Sequence, residues 1–198
     1  MKILVFTEGT ILTPKISEGL SRNQIVEQSK IEGIQREETS LQFESKNDVP
    51  VESNSVHDYS NYIPVGNAVQ KLTKWQKQGA IIYYLSSRRI KPEIEAIQSV
   101  LTKYSFPDVG NLYFRQQKEE YKDVAERIEP EILIEDDCES IGGEIEMTYP
   151  HIKPELKNKI KSVVIKEFSG IDNLPNNIQE LANGRKTHAS LLSNDSND

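Results

Sequence analysis

"ILVFTEGTIL", residues 3–12, drives an apolar run straight into a Thr-Glu-Gly-Thr turn that carries one carboxylate. A continuous apolar run this short, closing on Gly9, reads as a buried strand over Lys2 to Phe6. Two later runs have the same form: "AIIYYL", residues 80–85, closes on "SSRR", and "EILI", residues 131–134, closes on "EDD". Helical spacing fills the intervals. Val65, Val69, Leu72 and Trp75 recur before a stop at Gly79, Ile94, Ile97, Val100 and Leu101 follow Pro92, and Tyr121, Val124, Ala125 and Ile128 share one face. "NLYFR" (111–115) and "SVVIKEF" (162–168) add strands, and "LPNNIQEL" a last short helix. Strands alternating with helices predict an α/β class with a Rossmann-like, doubly wound, mainly parallel sheet.

The 198 residues suit one domain with an insertion after the first strand, over about 13–62. Ser21 to Gln24 has capping-box spacing ahead of Ile25 and Val26, which predicts a short helix near 21–30. Residues 37–60 are rich in Glu, Ser and Asn without a sustained period and read as a mobile insertion. The domain is expected to run to 183, with 184–198 a disordered tail. The net charge of −7 argues against a nucleic-acid polymer or an anionic membrane as partner. A single cysteine, Cys138, excludes an intrachain disulfide, and no apolar stretch approaches the length of a membrane span. A cytoplasmic protein is the expectation.

Ligands of doubly wound sheets collect at the carboxyl ends of the strands, and "TEGT", "SSRR" and "EDD" all fall there. Each has a plain reading. The glycine marks a turn, Ser86 and Ser87 cap the following helix, Arg88 and Arg89 are solvated, and Lys122 pairs with Glu126 one helical turn away. Together they also match the needs of a phosphoryl group, which takes hydroxyls such as Ser86, amides at a helix start and a lysine such as Lys122. Mg²⁺ favours a few carboxylate oxygens plus phosphate and water, a demand that Glu8, Asp136 and Asp137 answer. His57, His151 and His188 are scattered and suggest no zinc site. Cys138 beside three carboxylates makes a poor nucleophile.

The order of "ILVFTEGTIL", "IIYYLSSRR" and "YKDVAERIEPEILIEDD" resembles the four motifs of the haloacid dehalogenase superfamily, mostly Mg²⁺-dependent phosphatases on a Rossmann-like sheet. The resemblance spans roughly residues 1–15 and 64–140. It implies phosphate binding by Ser86, with Ser87 beside it, and by Lys122, and metal binding by Glu8, Asp136 and Asp137. It also implies a small phosphorylated molecule, such as a nucleotide, as ligand. The first motif departs from the family's Asp-x-Asp-Gly-Thr: the ungapped match puts Phe6 where the nucleophilic aspartate belongs, and a one-residue deletion in the turn would put Thr7 there. Phenylalanine has no lone pair to attack phosphorus, and a threonine needs a neighbouring base such as Glu8. Two functions follow: a phosphohydrolase using Glu8 and Thr7 by a non-standard route, or a non-catalytic phosphate- or nucleotide-binding protein.

Overall fold

The apolar run that opens the chain is covered on both sides. In β1 (Lys2–Phe6), Ile3 and Val5 face one apolar cluster and Leu4 the other, all three fully buried. Burial on both faces is the mark of a parallel central strand. The computed structural model describes residues 1–34 and 52–184. After β1 come β2 (Leu12–Pro14), α1 (Arg22–Glu32), β3 (Tyr62–Pro64), α2 (Ala68–Lys77), β4 (Ile81–Ser86) and α3 (Lys91–Lys103). The chain continues through β5 (Leu112–Phe114), α4 (Tyr121–Ile128), β6 (Ile132–Asp136), α5 (Pro154–Lys157), β7 (Lys161–Ile165) and α6 (Ile178–Asn183).

Five strands form one parallel sheet in the order β5-β4-β1-β6-β7. Apolar residues of α2, α3 and α6 cover one face, and α4 covers the other together with Ile152 and Ile160. The result is the three-layer, Rossmann-like α/β architecture that the alternating pattern predicts. From β1 the chain winds outward to β4 and β5, then returns to β6 and winds the other way to β7. The reversal opens a crevice between the carboxyl ends of β1 and β6, the position where doubly wound sheets bind ligands.

The segment after β1 is more ordered than its composition suggests. Gly9, at φ +77°, turns the chain, and the Thr7 carbonyl accepts the amides of Ile11 and Leu12, each at 2.9 Å. The chain then enters β2, which pairs antiparallel with β3. Pro64 is the last residue of β3 and pairs with Leu12; α2 begins at Ala68, so Val65, counted from sequence in the helical series, precedes the helix. The Ser21–Gln24 capping box forms and starts α1, whose Ile25 and Val26 pack with Ile34, Val56 and Phe168.

Residues 37–51 of the expected mobile insertion lie outside the described residues, while 52–60 are anchored at three buried positions, Val56, Asp58 and Tyr59. Tyr59 and Val56 are buried, and Asp58 accepts the Asn54 amide (2.9 Å) and the side chains of Ser60 and Asn61 (2.5 and 2.8 Å). A local polar network and a buried tyrosine anchor the stretch, and neither leaves a periodic signal in sequence. Of the tail expected over 184–198, residues 185–198 lie outside the described residues. Among the described residues, no helix is long and apolar enough to cross a membrane.

Candidate functional site

The crevice is organised around one carboxylate. Glu8 is 2% exposed. Its Oε1 accepts the Ser86 hydroxyl at 2.7 Å, and its Oε2 accepts the Thr7 hydroxyl at 2.6 Å, the Ser87 amide at 3.0 Å and the Ser87 hydroxyl at 3.3 Å. These donors come from the ends of β1 and β4, which lie side by side with Phe6 in register with Leu85. Charge-assisted hydrogen bonds of this kind are about twice as strong as neutral ones.

Behind the serines stands Arg88, 9% exposed. Its Nε and Nη2 donate to Ser87 Oγ at 3.1 and 2.7 Å, its Nη1 donates to the Tyr59 hydroxyl, and its guanidinium lies 5.0 Å from the centre of the Tyr59 ring. Burial opposes its charge, but Tyr59 and Glu8 more than offset that and raise its proton affinity. Burial pushes the Tyr59 phenol up to about 12, against the pull of Arg88. Arg88 is therefore a buried clamp between the β4 loop and the 52–61 segment, not the solvated residue of the plain sequence reading.

On the β6 side, Asp136 is 3% exposed and accepts the Thr10 hydroxyl at 2.8 Å and the Cys138 amide at 3.0 Å. Asp137 faces elsewhere: its carboxylate accepts the Glu167 amide at 3.0 Å and pairs with Lys166 at 2.8 Å. Two neighbouring acids are held near neutrality. Burial raises Glu135 to about 7 against the opposing pull of the Thr148 and Tyr149 amides. Burial likewise raises Glu167 to about 7, with Ser140 donating from both its amide and hydroxyl.

Two cavities meet at this edge. The inner one, about 20 Å³, is lined by Phe6, Glu8, Ser87, Asp136, Cys138 and Thr148 among others. It has room for about one water molecule and not for a phosphoryl group. Phe6 lines it edge-on to Tyr121, with ring centres 5.2 Å apart. Thr7 is fully buried and is not part of its lining. The outer cleft, about 300 Å³, is lined by Arg89, Arg115, Lys122, Glu120, Tyr121 and the Ile145–Thr148 stretch with His151. Tyr121, Glu146 and Thr148 form a wall common to both. Arg115 stacks on the Tyr121 ring at 3.7 Å. Lys122 pairs with Glu120, not with Glu126 one turn on, and that hydrogen bond raises its proton affinity.

The residues singled out from sequence are thus divided. Glu8, Ser87 and Asp136 line the inner cavity, with Ser86 and Thr7 hydrogen-bonded behind Glu8. Lys122 lines the outer cleft, and Asp137 turns toward Lys166. Arg115, Tyr121 and Thr148 went unnoticed as site residues. Arg115 had a legible signal, since it follows directly on a strand at the carboxyl edge, whereas Thr148 lies in an irregular stretch that has none.

Mg²⁺ requires carboxylate oxygens open to it. Both oxygens of Glu8 and both of Asp136 already accept protein donors, and Asp137 is engaged by Lys166. Among the described residues no group of three or more His, Cys, Asp or Glu side chains is gathered as a cation's ligands would be. As placed, these residues do not fit the ion.

The architecture defines an α/β protein with a crevice at the carboxyl edge of its parallel sheet. The chain is similar to the class C acid phosphatase from Bacillus anthracis with tungstate bound, at 13% identity and a TM-score of 0.49, over 95% of this chain and 74% of that one. No family model matches the chain, and neither does any curated protein. At that identity, function is to be read from the side chains themselves.

Proposed function

We propose that this protein binds a small phosphorylated molecule without hydrolysing it, on a haloacid dehalogenase-like fold. The observation that carries this reading is the gathering of Arg89, Arg115 and Lys122 on one cleft of about 300 Å³ at the sheet's carboxyl edge. A planar guanidinium suits a phosphate's oxygens, a lysine adds a compact charge, and Tyr121, Ile145 and Met147 offer apolar surface to the rest of the ligand. The inner cavity supports the reading without turnover. Of the two candidates for the place of an attacking carboxylate, Phe6 has no lone pair and Thr7 is fully buried with its hydroxyl given to Glu8, whose oxygens are also taken by Ser86 and Ser87.

Thermal melting with inorganic phosphate and with nucleoside mono- and diphosphates tests the reading. A ligand that binds only the folded state raises the melting temperature, and Arg115→Ala and Lys122→Ala should remove the rise. Unchanged melting across the panel would sink the binding claim. Phosphate release from a phosphomonoester panel with Mg²⁺, lost in Glu8→Gln and Asp136→Asn, would instead support hydrolysis.

A further inference from the structure

Glu8 and Asp136, the carboxylates at the ends of β1 and β6, meet in a space too small for a hydrated cation. Both line the inner cavity of about 20 Å³. Such a space holds about one water molecule, whereas Mg²⁺ demands a near-ideal octahedron of ligands and keeps several of its waters. Widening the cavity means displacing the groups that define it. The Ser86 and Thr10 hydroxyls that donate to Glu8 and Asp136 are fully buried. A buried donor cut off from its acceptor loses its hydration without compensation, so turning either carboxylate toward an ion strands a hydroxyl that has no solvent to turn to. Asp137, which could complete a ligand set, is drawn off by Lys166.

The charge that such an ion would bring is already built into the chain. Arg88 donates through Nε and Nη2 to Ser87 Oγ, and the Ser87 amide and hydroxyl donate to Glu8 Oε2. This relay sets a guanidinium, charged at any working pH, behind the buried carboxylate. In the outer cleft the positive charge likewise comes from side chains, Arg89, Arg115 and Lys122. A polyphosphate that chelates Mg²⁺ arrives with its oxygens partly taken and waters attached to the ion, so it offers these donors less than a bare phosphate does.

We infer that the carboxyl edge of this sheet works without a divalent metal, with Arg88 as its resident cation, and that the outer cleft takes its ligand as the metal-free anion: a phosphomonoester in preference to a Mg²⁺-chelating di- or triphosphate. The second half rests on the phosphate-binding reading above; the first does not.

Melting comparisons test both halves. Without ligand, the change in Tm between EDTA and millimolar Mg²⁺ at matched ionic strength should be the same in the wild type, Glu8→Gln and Asp136→Asn. An ion held by these carboxylates would raise the wild-type Tm by about 5–10 °C at about a hundredfold over Kd, and a rise of that order lost in either variant overturns the inference. Should the variants fail to fold, Mn²⁺ titrated into the wild type and followed by its EPR signal decides: only millimolar binding supports the metal-free edge, and one tight site overturns it. Arg88→Met should melt below Arg88→Lys, which keeps the charge; equal melting overturns the role given to Arg88. With ligand, a nucleoside monophosphate should raise Tm equally in EDTA and in Mg²⁺, whereas the rise with a di- or triphosphate should shrink as Mg²⁺ is added. A rise that requires Mg²⁺ overturns the inference. No rise with any of them in either condition overturns the phosphate-binding reading and the ligand half together, while the ligand-free comparison still decides the metal half.

Discussion

Replacing Glu135 with glutamine should remove part of the fall in stability that the wild type shows as pH rises from about 5 to about 8. Glu135 is 2% exposed at the end of β6, and its oxygens accept the amides of Thr148 at 2.7 Å and Tyr149 at 3.0 Å. Burial raises it from the ordinary 4.5 to about 7. Between those values the folded chain keeps a proton that the unfolded chain has lost, so stability is fully present below the lower value and falls as pH climbs toward the upper one. At about 1.4 kcal/mol per pH unit, the cost levels off near 3 kcal/mol. About 2.5 kcal/mol of it develops between about pH 5 and about pH 8. Glutamine cannot ionise, but it offers one acceptor to two amides, a pH-independent loss of about 1–3 kcal/mol. Urea unfolding of both proteins at the two pH values reads the difference directly. The variant should be clearly weaker at the lower pH and should draw level with or overtake the wild type at the higher. A gap that stays constant or widens with pH would refute the reasoning.

Three other outcomes follow from the packing. Trp75→Ala empties a fully buried site and releases the hydrogen bond from the indole to the Pro175 carbonyl (3.0 Å); it should cost about 3–5 kcal/mol in urea unfolding. Gly66→Ala puts a Cβ 2.5 Å from Asp172 Oδ2 at φ +54°, disturbing the carboxylate that accepts the Asn67 amide at the start of α2; a loss of more than about 1 kcal/mol in thermal or urea unfolding is expected. Arg88→Lys gives up the paired contacts to Ser87 and the reach to Tyr59, and hydrogen exchange should accelerate at residues 56–61 while the β1 and β6 amides keep their protection.

The sheet was legible from sequence because its strands are buried on both faces, which forces unbroken apolar runs such as Ile3–Val5 and Ile132–Ile134. The longer helices were legible because each buries only one stripe, whereas the four-residue α5 buries none and leaves no period. The β2–β3 pair was missed for the opposite reason: three residues make too short a window for any period, and the pairing joins Leu12 to Pro64 across a long excursion. At the site, the residue types and the sheet edge could be read, but not the partnerships. Nothing local in "TEGT" shows that Glu8 will take the donors of "SS", and nothing in "EDD" shows that adjacent acids will diverge, Asp136 to Thr10 and Asp137 to Lys166. Those outcomes are set by side chains from other strands.

The short antiparallel ribbon of β2 and β3 brings the two ends of the excursion from Lys15 to Asn61 to neighbouring positions in one small sheet. The excursion therefore leaves and rejoins the domain through a pair of adjacent strands, a few ångströms apart, and α1 and Tyr59 tie its described ends further to Phe168 and Arg88. Doubling the length of a chain closed in this way costs only about 0.6 kcal/mol. The ribbon works as a socket: the chain between its strands can change in length while the scaffold beneath keeps its register.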